Sequence, residues 1–271
     1  MGSGAIVAIL GFLDDHGHIA ARWRLIFHFV AAIWAIIWMG GIPPVAWFHS
    51  TIDLGWFGQC LAVIYLVWML NLYNFMDGID GIASVEAIST CIGGFLLCLF
   101  TGTDQMELPL LLMAASVLGF FYWNFPPAKI FMGDAGSGFL GMVLGLFSLL
   151  ASQSAPSLLW AWLIMLGVFI VDATLTLIRR FIQGKKVYEA HRSHAYQHAS
   201  RVHLSHLKVT LSILAINILW LLPLAALVAT NKLAGVVGLT LAYIPLVILA
   251  IIYKAGSSDE IKKDAPDASK I

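Results

Sequence analysis

The sequence is poor in charge and in cysteine. Only 11% of its 271 residues are charged, whereas 60% are hydrophobic, and soluble domains carry about 25% charged residues. This composition excludes an ordinary soluble domain, and no nucleic-acid partner is expected. The three cysteines, Cys60, Cys91 and Cys98, all lie inside apolar runs. We interpret them as small buried packing residues.

Long apolar runs take the place of charge. Eight approach or reach membrane-spanning length: 25–41, 56–72, 82–100, 108–122, 138–150, 158–178, 209–229 and 233–253. A ninth run, 4–13, is shorter, and the short run 138–150 is expected to extend into its glycine-rich start or to tilt. We therefore expect an all-α, polytopic membrane helix bundle of about nine spans. Residues 1–254 would form the membrane-embedded domain and 255–271 a polar tail.

The basic residues are distributed asymmetrically. If the spans alternate, the segments 14–24, 73–81, 123–137, 178–208 and the tail from 254 share one face, which carries fourteen of the fifteen Lys and Arg residues. The positive-inside rule makes that face cytoplasmic. We expect a bacterial inner-membrane protein with its active site and its C-terminus in the cytoplasm.

Two acidic pairs follow apolar runs on that face. In "GFLDDHGH", the adjacent Asp14 and Asp15 would point about 100° apart on a helix, so one could bind a cation while the other faces a substrate. In "NFMDGIDG", Asp77 and Asp80 would share one side of a helix, and Asn74 adds an amide. The glycines there break the helix or let a ligand approach the backbone. On its own, this second stretch fits an acidic turn between two spans equally well.

The stretch "NFPPAKIFMGDAGSGFLG" favours a site for a phosphorylated ligand. Pro126-Pro127 should end a helix, and Asp134 precedes Gly136, Ser137 and a new span. The free N–H groups at such a helix start can bind phosphate, and the acid beside them could hold the accompanying metal. Oxygen ligands without cysteine favour Mg²⁺ or Mn²⁺ over zinc.

A histidine-rich loop, 179–208, contains five of the nine histidines together with Lys and Arg. The spacing of His191, His194 and His198 would place all three on one helical face. A zinc site is one interpretation, although no HExxH motif is present. A positive-inside anchor explains the Lys and Arg equally well. Beside carboxylate loops, binding of an anionic, phosphorylated ligand fits better.

The order of these motifs resembles that of the polyprenyl-phosphate sugar-1-phosphate transferases. DD, NxxDGxDG, FMGDxGS and the loop "HRSHAYQHASR" follow one another on the same predicted face, and the sequence looks most like the glycosyltransferase family 4 branch. The resemblance implies that an N-acetylhexosamine 1-phosphate passes from a UDP-sugar to undecaprenyl phosphate. The products would be UMP and the lipid intermediate that starts a polysaccharide of the O-antigen type. The implied cofactor is Mg²⁺, and the implied partners include the lipid bilayer and a second copy of the chain in a homodimer.

The resemblance also implies roles for individual residues. Asp134, with Asp77, would hold Mg²⁺ on the donor diphosphate. Phe131 would lie near the uracil, and Asn74 and Asp80 would shape the nucleotide site. The remaining implied roles are deprotonation or positioning of the lipid phosphate by Asp14 or Asp15, binding of the diphosphate or sugar by His191 and His194, and substrate binding by Lys129 and Arg192.

Three points stand beside the resemblance. About two helices precede the paired aspartates in that family, so we expect this chain to be N-terminally truncated and to lack activity without them. A CDP-alcohol phosphotransferase is disfavoured because Ser84 stands where its pattern requires Arg. A transporter of an anionic or phosphorylated substrate is the alternative from another class. Only Glu86 and Asp172 could lie at the membrane depth that transport would favour.

Overall fold

The computed structural model describes residues 2–17, 19–48, 50–103, 106–185 and 191–257. Within these residues the chain forms twelve α-helices, one π-helical turn at Asn217–Leu221 and a two-stranded hairpin. The helices are α1 Gly2–Gly17, α2 Ala21–Met39, α3 Gly55–Met76, α4 Ile82–Thr101, α5 Glu107–Asn124, α6 Gly133–Ser154, α7 Ser157–Met165, α8 Gly167–Ile182, α9 Ala195–His203, α10 His206–Ile216, α11 Leu222–Ala229 and α12 Gly235–Ile252. The strands are β1 Val45–Trp47 and β2 Ser50–Ile52, paired antiparallel with Val45 opposite Ile52.

The fold is an all-α polytopic membrane bundle, as the apolar runs predict. In the described part of the chain, seven helices are long and apolar enough to cross a membrane, and an eighth span is formed if α7 and α8 count together. The short run 138–150 does extend into its glycine-rich start, since α6 has 22 residues. The run 158–178 is not one continuous helix, because α7 and α8 meet at a bend of 72°.

Small residues bring α6 close to two neighbouring helices. Gly141 and Gly145 of α6 face α3, and a Cβ atom at Gly141 would lie 2.5 Å from the Met69 carbonyl oxygen. Gly138 lies between Val7 of α1 and Leu70 of α3. Gly11 of α1 lies against the first turn of α6, and a Cβ at Gly11 would lie 2.5 Å from the Cα atom of Ala135. The start of α6 is therefore held between the ends of α1 and α3.

The bent pair α7 and α8 also contributes to the buried core. Tyr73 of α3 and Phe169 of α8 are fully buried with ring centroids 4.9 Å apart. The Tyr73 hydroxyl donates to the carbonyl of Ala83 in α4 at 2.7 Å. These contacts fix α8 and α4 to the end of α3.

The two ends of the bundle differ. At one end, Trp160 of α7 donates its indole N–H to the Ala46 carbonyl of the hairpin at 2.7 Å. At the other end α1, α3, α5, α8 and α12 finish and α2, α4, α6 and α10 begin; we call this the polar end. There, the Gly256 N–H after α12 donates to the Ser193 carbonyl at 2.7 Å. The polar end thus gathers the loops that carry the sequence motifs.

Candidate active site

Arg24 joins two of the predicted site acids at the polar end. Its Nη1 atom donates to Oδ2 of Asp14 at 2.5 Å and to Oδ2 of Asp134 at 3.0 Å. Asp14 also accepts the Ile19 N–H at 2.6 Å. One guanidinium therefore bridges carboxylates from α1 and α6.

Asn74 brings the end of α3 to the same acid. Its Nδ2 atom donates to Oδ1 of Asp134 at 2.8 Å and to Oγ of Ser137 at 3.0 Å. Asn74 and Asp134 are sixty residues apart, and the structure unites them as the motif order implies. Both oxygens of Asp134 are thus engaged, one by a neutral amide and one by a cation.

Asp77 is a second carboxylate beside this cluster. It directly follows α3, and the residue is half-buried. Burial, followed by the negative charge of Asp134, raises the pKa of Asp77 to about 7. A cation that approached both carboxylates would relieve this repulsion.

Asp15 changes the expected role of the start of α6. Its carboxylate accepts the N–H groups of Asp134 at 3.1 Å and Ala135 at 3.4 Å. A carboxylate is favourable at a helix N-terminus. The prediction that these first-turn amides are free for phosphate is therefore wrong for this structure, because a protein carboxylate occupies them.

Asp80 follows Asp77 in a segment between α3 and α4 that is not helical, so the expected helical arrangement of the two acids does not form. Oδ2 of Asp80 lies 3.2 Å from the Ala128 N–H and 3.3 Å from Nδ1 of His206. These contacts tie the loop after α3 to the segment before α6 and to the start of α10, and the role of Asp80 in the nucleotide site stays a prediction.

The glycine after Asp77 allows a protein side chain to approach. A Cβ atom at Gly78 would overlap the Tyr196 hydroxyl, which donates to the Phe75 carbonyl at 3.0 Å. The sequence left open whether these glycines break the helix or let a ligand approach the backbone. The structure shows that α3 ends at Met76 and that α9 approaches Gly78. Gly78 thus permits the histidine-bearing segment to pack on the end of α3.

His191 and His194 lie side by side but not on one helical face. Helix α9 begins only at Ala195, so the predicted helical arrangement with His198 is wrong. The two rings stack with centroids 4.9 Å apart, and each lies about 6 Å from the ring of Phe75. In the described structure the Nε2 atoms of His191 and His194 are buried without a hydrogen-bond partner.

Asp172 holds this histidine segment in place. Its carboxylate accepts the N–H groups of Ala195 and Tyr196, both at 2.9 Å, and lies 3.3 Å from Nδ1 of His194. Since Asp172 caps the start of α9, it fixes the direction in which the histidine rings point. The sequence had singled out Asp172 only as an acid at membrane depth.

The electrostatics of the histidine pair favour a neutral His191. Burial, followed by the charges of His194 and Arg180, lowers the pKa of His191 to about 4. Its ring is therefore uncharged near neutral pH. A neutral imidazole can donate one hydrogen bond to an anionic oxygen.

Two cavities open at this site and share part of their lining. The first, about 390 Å³, has an apolar side formed by α1, α2 and α3 and is lined by the basic side chains of Arg22, Arg24 and His28. The second, about 790 Å³, is more polar, and its lining includes Asp77, His191, Arg192, His194 and Gln197. Arg24, Asn74, Phe75 and Asp134 line both. The two cavities therefore share a wall that includes Asp134.

Lys129 and Phe131 are placed differently from the other predicted site residues. Neither belongs to the lining of the two cavities. Phe131 is 78% exposed, and Nζ of Lys129 lies 5.3 Å from the centroid of the Trp123 ring. The structure thus brings Asp14, Asn74, Asp77, Asp134 and the two histidines together, but not these two side chains.

The acids fit a divalent cation that is bound largely by its substrate. In the residues described, no three His, Cys, Asp or Glu side chains form a closed metal-binding group. Mg²⁺ is commonly held by one or two carboxylates plus substrate phosphates. Asp77 and Asp134, which line the larger cavity together, suit that mode.

Sequence reasoning missed the role of Arg24 and did not consider Tyr196 or Gln197. Arg24 had been counted only as a membrane-flanking positive charge. No sequence pattern indicates a role for Gln197, but its Oε1 atom accepts the His194 N–H at 3.2 Å. The available signal for Arg24 was a basic residue only ten positions after Asp14, on the same predicted face.

The fold and the site define a polytopic helical membrane protein with an acidic, two-cavity site at one end of the bundle. Comparison with known proteins identifies its family. Residues 1–152 match the family described as glycosyl transferase family 4. The chain belongs to this family. The matched region contains α1–α5 and nearly all of α6, whereas the histidine segment lies beyond it.

Individual relatives agree with this assignment. The chain is 34% identical over 211 residues to the "Probable undecaprenyl-phosphate N-acetylglucosaminyl 1-phosphate transferase" of Bacillus subtilis, covering 74% of this chain and 57% of that protein. It is 31% identical over 160 residues to the phospho-N-acetylmuramoyl-pentapeptide-transferase of Moorella thermoacetica, covering 53% and 49%. With the Streptococcus equi protein of the same name it shares 29% identity over 196 residues, covering 68% and 57%. The chain thus spans about half or slightly more of the length of these relatives.

Proposed function

We propose that this protein transfers an N-acetylhexosamine 1-phosphate from a UDP-sugar to undecaprenyl phosphate, which yields undecaprenyl-diphospho-sugar and UMP. The family and the names of the relatives support transfer of a sugar 1-phosphate to a polyprenyl phosphate. The step would begin a cell-envelope polysaccharide of the O-antigen type. The basic residues of the polar end support a cytoplasmic location for the reaction.

The observation that carries the proposal is the shared wall of the two cavities. The smaller cavity combines an apolar side, including Val7, Leu25 and Leu70, with basic side chains, as a lipid phosphate requires. The larger cavity is polar, as a nucleotide sugar requires. Their common wall at Asp134 would bring the acceptor phosphate close to the donor diphosphate, and such positioning provides much of the catalysis in phosphoryl transfer.

The donor would lie in the larger cavity. Asp77 and Asp134 would hold Mg²⁺, whose charge would offset that of the diphosphate. His191 and His194 line the same cavity, and their Nε2 atoms are buried without a hydrogen-bond partner. A small rotation of either ring toward the ligand would let it donate to phosphate or sugar oxygens. Arg192 adds a positive charge there.

The acceptor would lie in the smaller cavity. An oxygen of the lipid phosphate attacks the sugar-bound phosphorus of the donor, a new P–O bond forms, and the bond from that phosphorus to the UMP oxygen breaks. Asp14 lines this cavity, whereas Asp15 is bonded to the start of α6. Asp14 is therefore the better placed of the pair to position the acceptor or to accept its proton.

The direct test supplies membranes or detergent-purified protein with undecaprenyl phosphate, Mg²⁺ and several UDP-N-acetylhexosamines in turn. UMP release is measured, and the lipid product is identified by mass. Asp134→Asn should retain less than about a tenth of the activity, a barrier increase of at least ~1.4 kcal/mol. Glu107→Gln removes a carboxylate from the far end of the bundle and should keep full activity. UMP release that Asp134→Asn leaves intact would refute the metal role of Asp134, and substrate flux without UMP release would favour the transporter.

The histidines provide a second test of the same assignment. His191→Ala and His194→Ala should impair turnover far more than His203→Ala, because His203 bonds the Tyr253 hydroxyl at 2.8 Å and lines neither of the two cavities. Equal losses in all three variants would point to a general role of the loop in folding instead.

A further inference from the structure

We infer that Arg24 is a built-in counter-ion that leaves Asp134 when the divalent cation binds and then holds the acceptor phosphate, so that metal binding and acceptor binding are coupled. This inference rests on the proposed function, which supplies the metal and the acceptor. It concerns the order and linkage of binding rather than the identity of the reaction.

Arg24 bridges two carboxylates of the site. A single nitrogen of Arg24, Nη1, contacts both Asp14 and Asp134. The Arg24 side chain retains 34% of its exposure and Asp134 retains 37%. The bridge is thus open to the cavities, and its rearrangement requires no unpacking of the core.

Arg24 and a divalent cation would compete for the carboxylate of Asp134. Oδ2 of Asp134 receives Arg24 while Oδ1 receives Asn74. A divalent cation bound to Asp134 would face the guanidinium across a single carboxylate, and like charges at that separation repel strongly in a partly buried site. Release of Arg24 from Asp134 is the simplest relief, since the neutral Asn74 can remain.

The released side chain of Arg24 would hold the acceptor phosphate. Arg24 lines the smaller cavity together with Arg22 and His28. A guanidinium has five N–H donors in a planar fork that matches phosphate oxygens, and both carboxylate contacts use only Nη1. Once metal binding has released the side chain from Asp134, Arg24 could turn these remaining donors and part of Nη1 toward a phosphate monoester in this cavity.

The effects of the metal and the acceptor on each other's affinity must be equal. If the metal frees Arg24 for the acceptor, the acceptor must in turn draw Arg24 away from Asp134 and strengthen metal binding by the same factor. Each ligand would then favour the other. The affinity for the lipid acceptor would therefore be higher when the metal is bound than when the metal is absent.

The test measures Mn²⁺ binding to the purified full chain by electron paramagnetic resonance, without nucleotide. Arg24→Gln should bind Mn²⁺ about tenfold or more tightly than the unmodified protein, because the competing charge is gone. Arg24→Lys, which keeps that charge, should bind Mn²⁺ within about threefold of the unmodified protein. Arg22→Gln removes an equal charge two residues earlier on α2 and should also leave Mn²⁺ affinity nearly unchanged, which separates competition at Asp134 from the general field.

Farnesyl phosphate, a short polyprenyl phosphate, then tests the coupling. Its addition should tighten Mn²⁺ binding by the unmodified protein severalfold and have no such effect on Arg24→Gln. Equal or weaker Mn²⁺ binding by Arg24→Gln would overturn the inference while leaving the transferase proposal intact. If no variant and no unmodified protein bound Mn²⁺, even with a UDP-sugar present, both the inference and the proposed metal site would fall.

Discussion

Replacement of Asp172 by asparagine should release the start of α9 and displace the histidine pair. Asp172 is buried, and it accepts the Ala195 and Tyr196 N–H groups at 2.9 Å. Asparagine has one acceptor oxygen, so its NH₂ group would have to face one of these two N–H groups. His194, whose ring lies beside the same carboxylate, would lose its fixed orientation.

The magnitude follows from these contacts. A buried N–H group left without an acceptor costs about 1–3 kcal/mol, and loss of a negative charge at a helix N-terminus costs about 0.3–1 kcal/mol. If the sum appears in catalysis rather than in global stability, kcat/KM should fall by roughly tenfold to a thousandfold. Thr176→Val provides the matched control, because it removes only the hydroxyl donor 3.1 Å from the same carboxylate.

Two assays check this prediction independently of each other. UMP release reports the catalytic loss, and amide hydrogen exchange at Ala195 and Tyr196 reports the local opening whether or not the chain is active. Exchange at both amides should accelerate by about tenfold or more in Asp172→Asn and change little in Thr176→Val. Unchanged exchange and more than half of the original activity in Asp172→Asn would show that the histidine segment is held by something other than Asp172.

Three further predictions concern packing, the buried acid and pH. Gly11→Ala should lower the unfolding free energy by about 1–3 kcal/mol, because its Cβ would overlap the backbone of α6; Gly17→Ala, with open space around it, should have no such effect on thermal unfolding. Glu86→Gln should melt as the unmodified protein does or higher, since it keeps an acceptor for Asn217 Nδ2 and adds a donor for the unpartnered Oδ1; a lower melting temperature would contradict this pairing. The pKa of His191, which burial lowers to about 4, makes its contribution to stability complete above about pH 6.5 and lost as the pH falls through about 4. The melting temperature should therefore fall more steeply with acid in the unmodified protein than in His191→Asn.

The spans could be predicted because the bilayer sets their length. Each long helix coincides with an apolar run, and the glycine-rich start of α6 was recognised as part of its span. The union of Asn74 with Asp134 could also be predicted, since alternate spans return their ends to one face of the membrane. These features depend on the hydropathy of each run and on whether an odd or even number of spans separates two loops. Both can be read directly from the sequence.

The directions of individual side chains could not be predicted in the same way. Asp77 and Asp80 look equivalent in sequence, yet Asp77 lines the larger cavity whereas Asp80 accepts the Ala128 N–H. Asp15 reaches the start of α6 because Gly11 allows α1 to approach. Such choices depend on contacts between segments that are more than a hundred residues apart, and no local pattern records them.

The bend between α7 and α8 affects the position of the histidine segment, because Asp172 of α8 holds the start of α9. Asp172 lies five residues beyond Gly167, about 7.5 Å along the axis of α8. If the 72° bend were straightened about its corner, Asp172 would sweep through roughly 9 Å at a rise of 1.5 Å per residue, farther than the width of the histidine pair it holds. A ligand or substitution that alters the angle by only a few degrees would still shift the histidines by several tenths of an ångström. A change of this angle would therefore change the distance of His191 and His194 from the acids of the larger cavity.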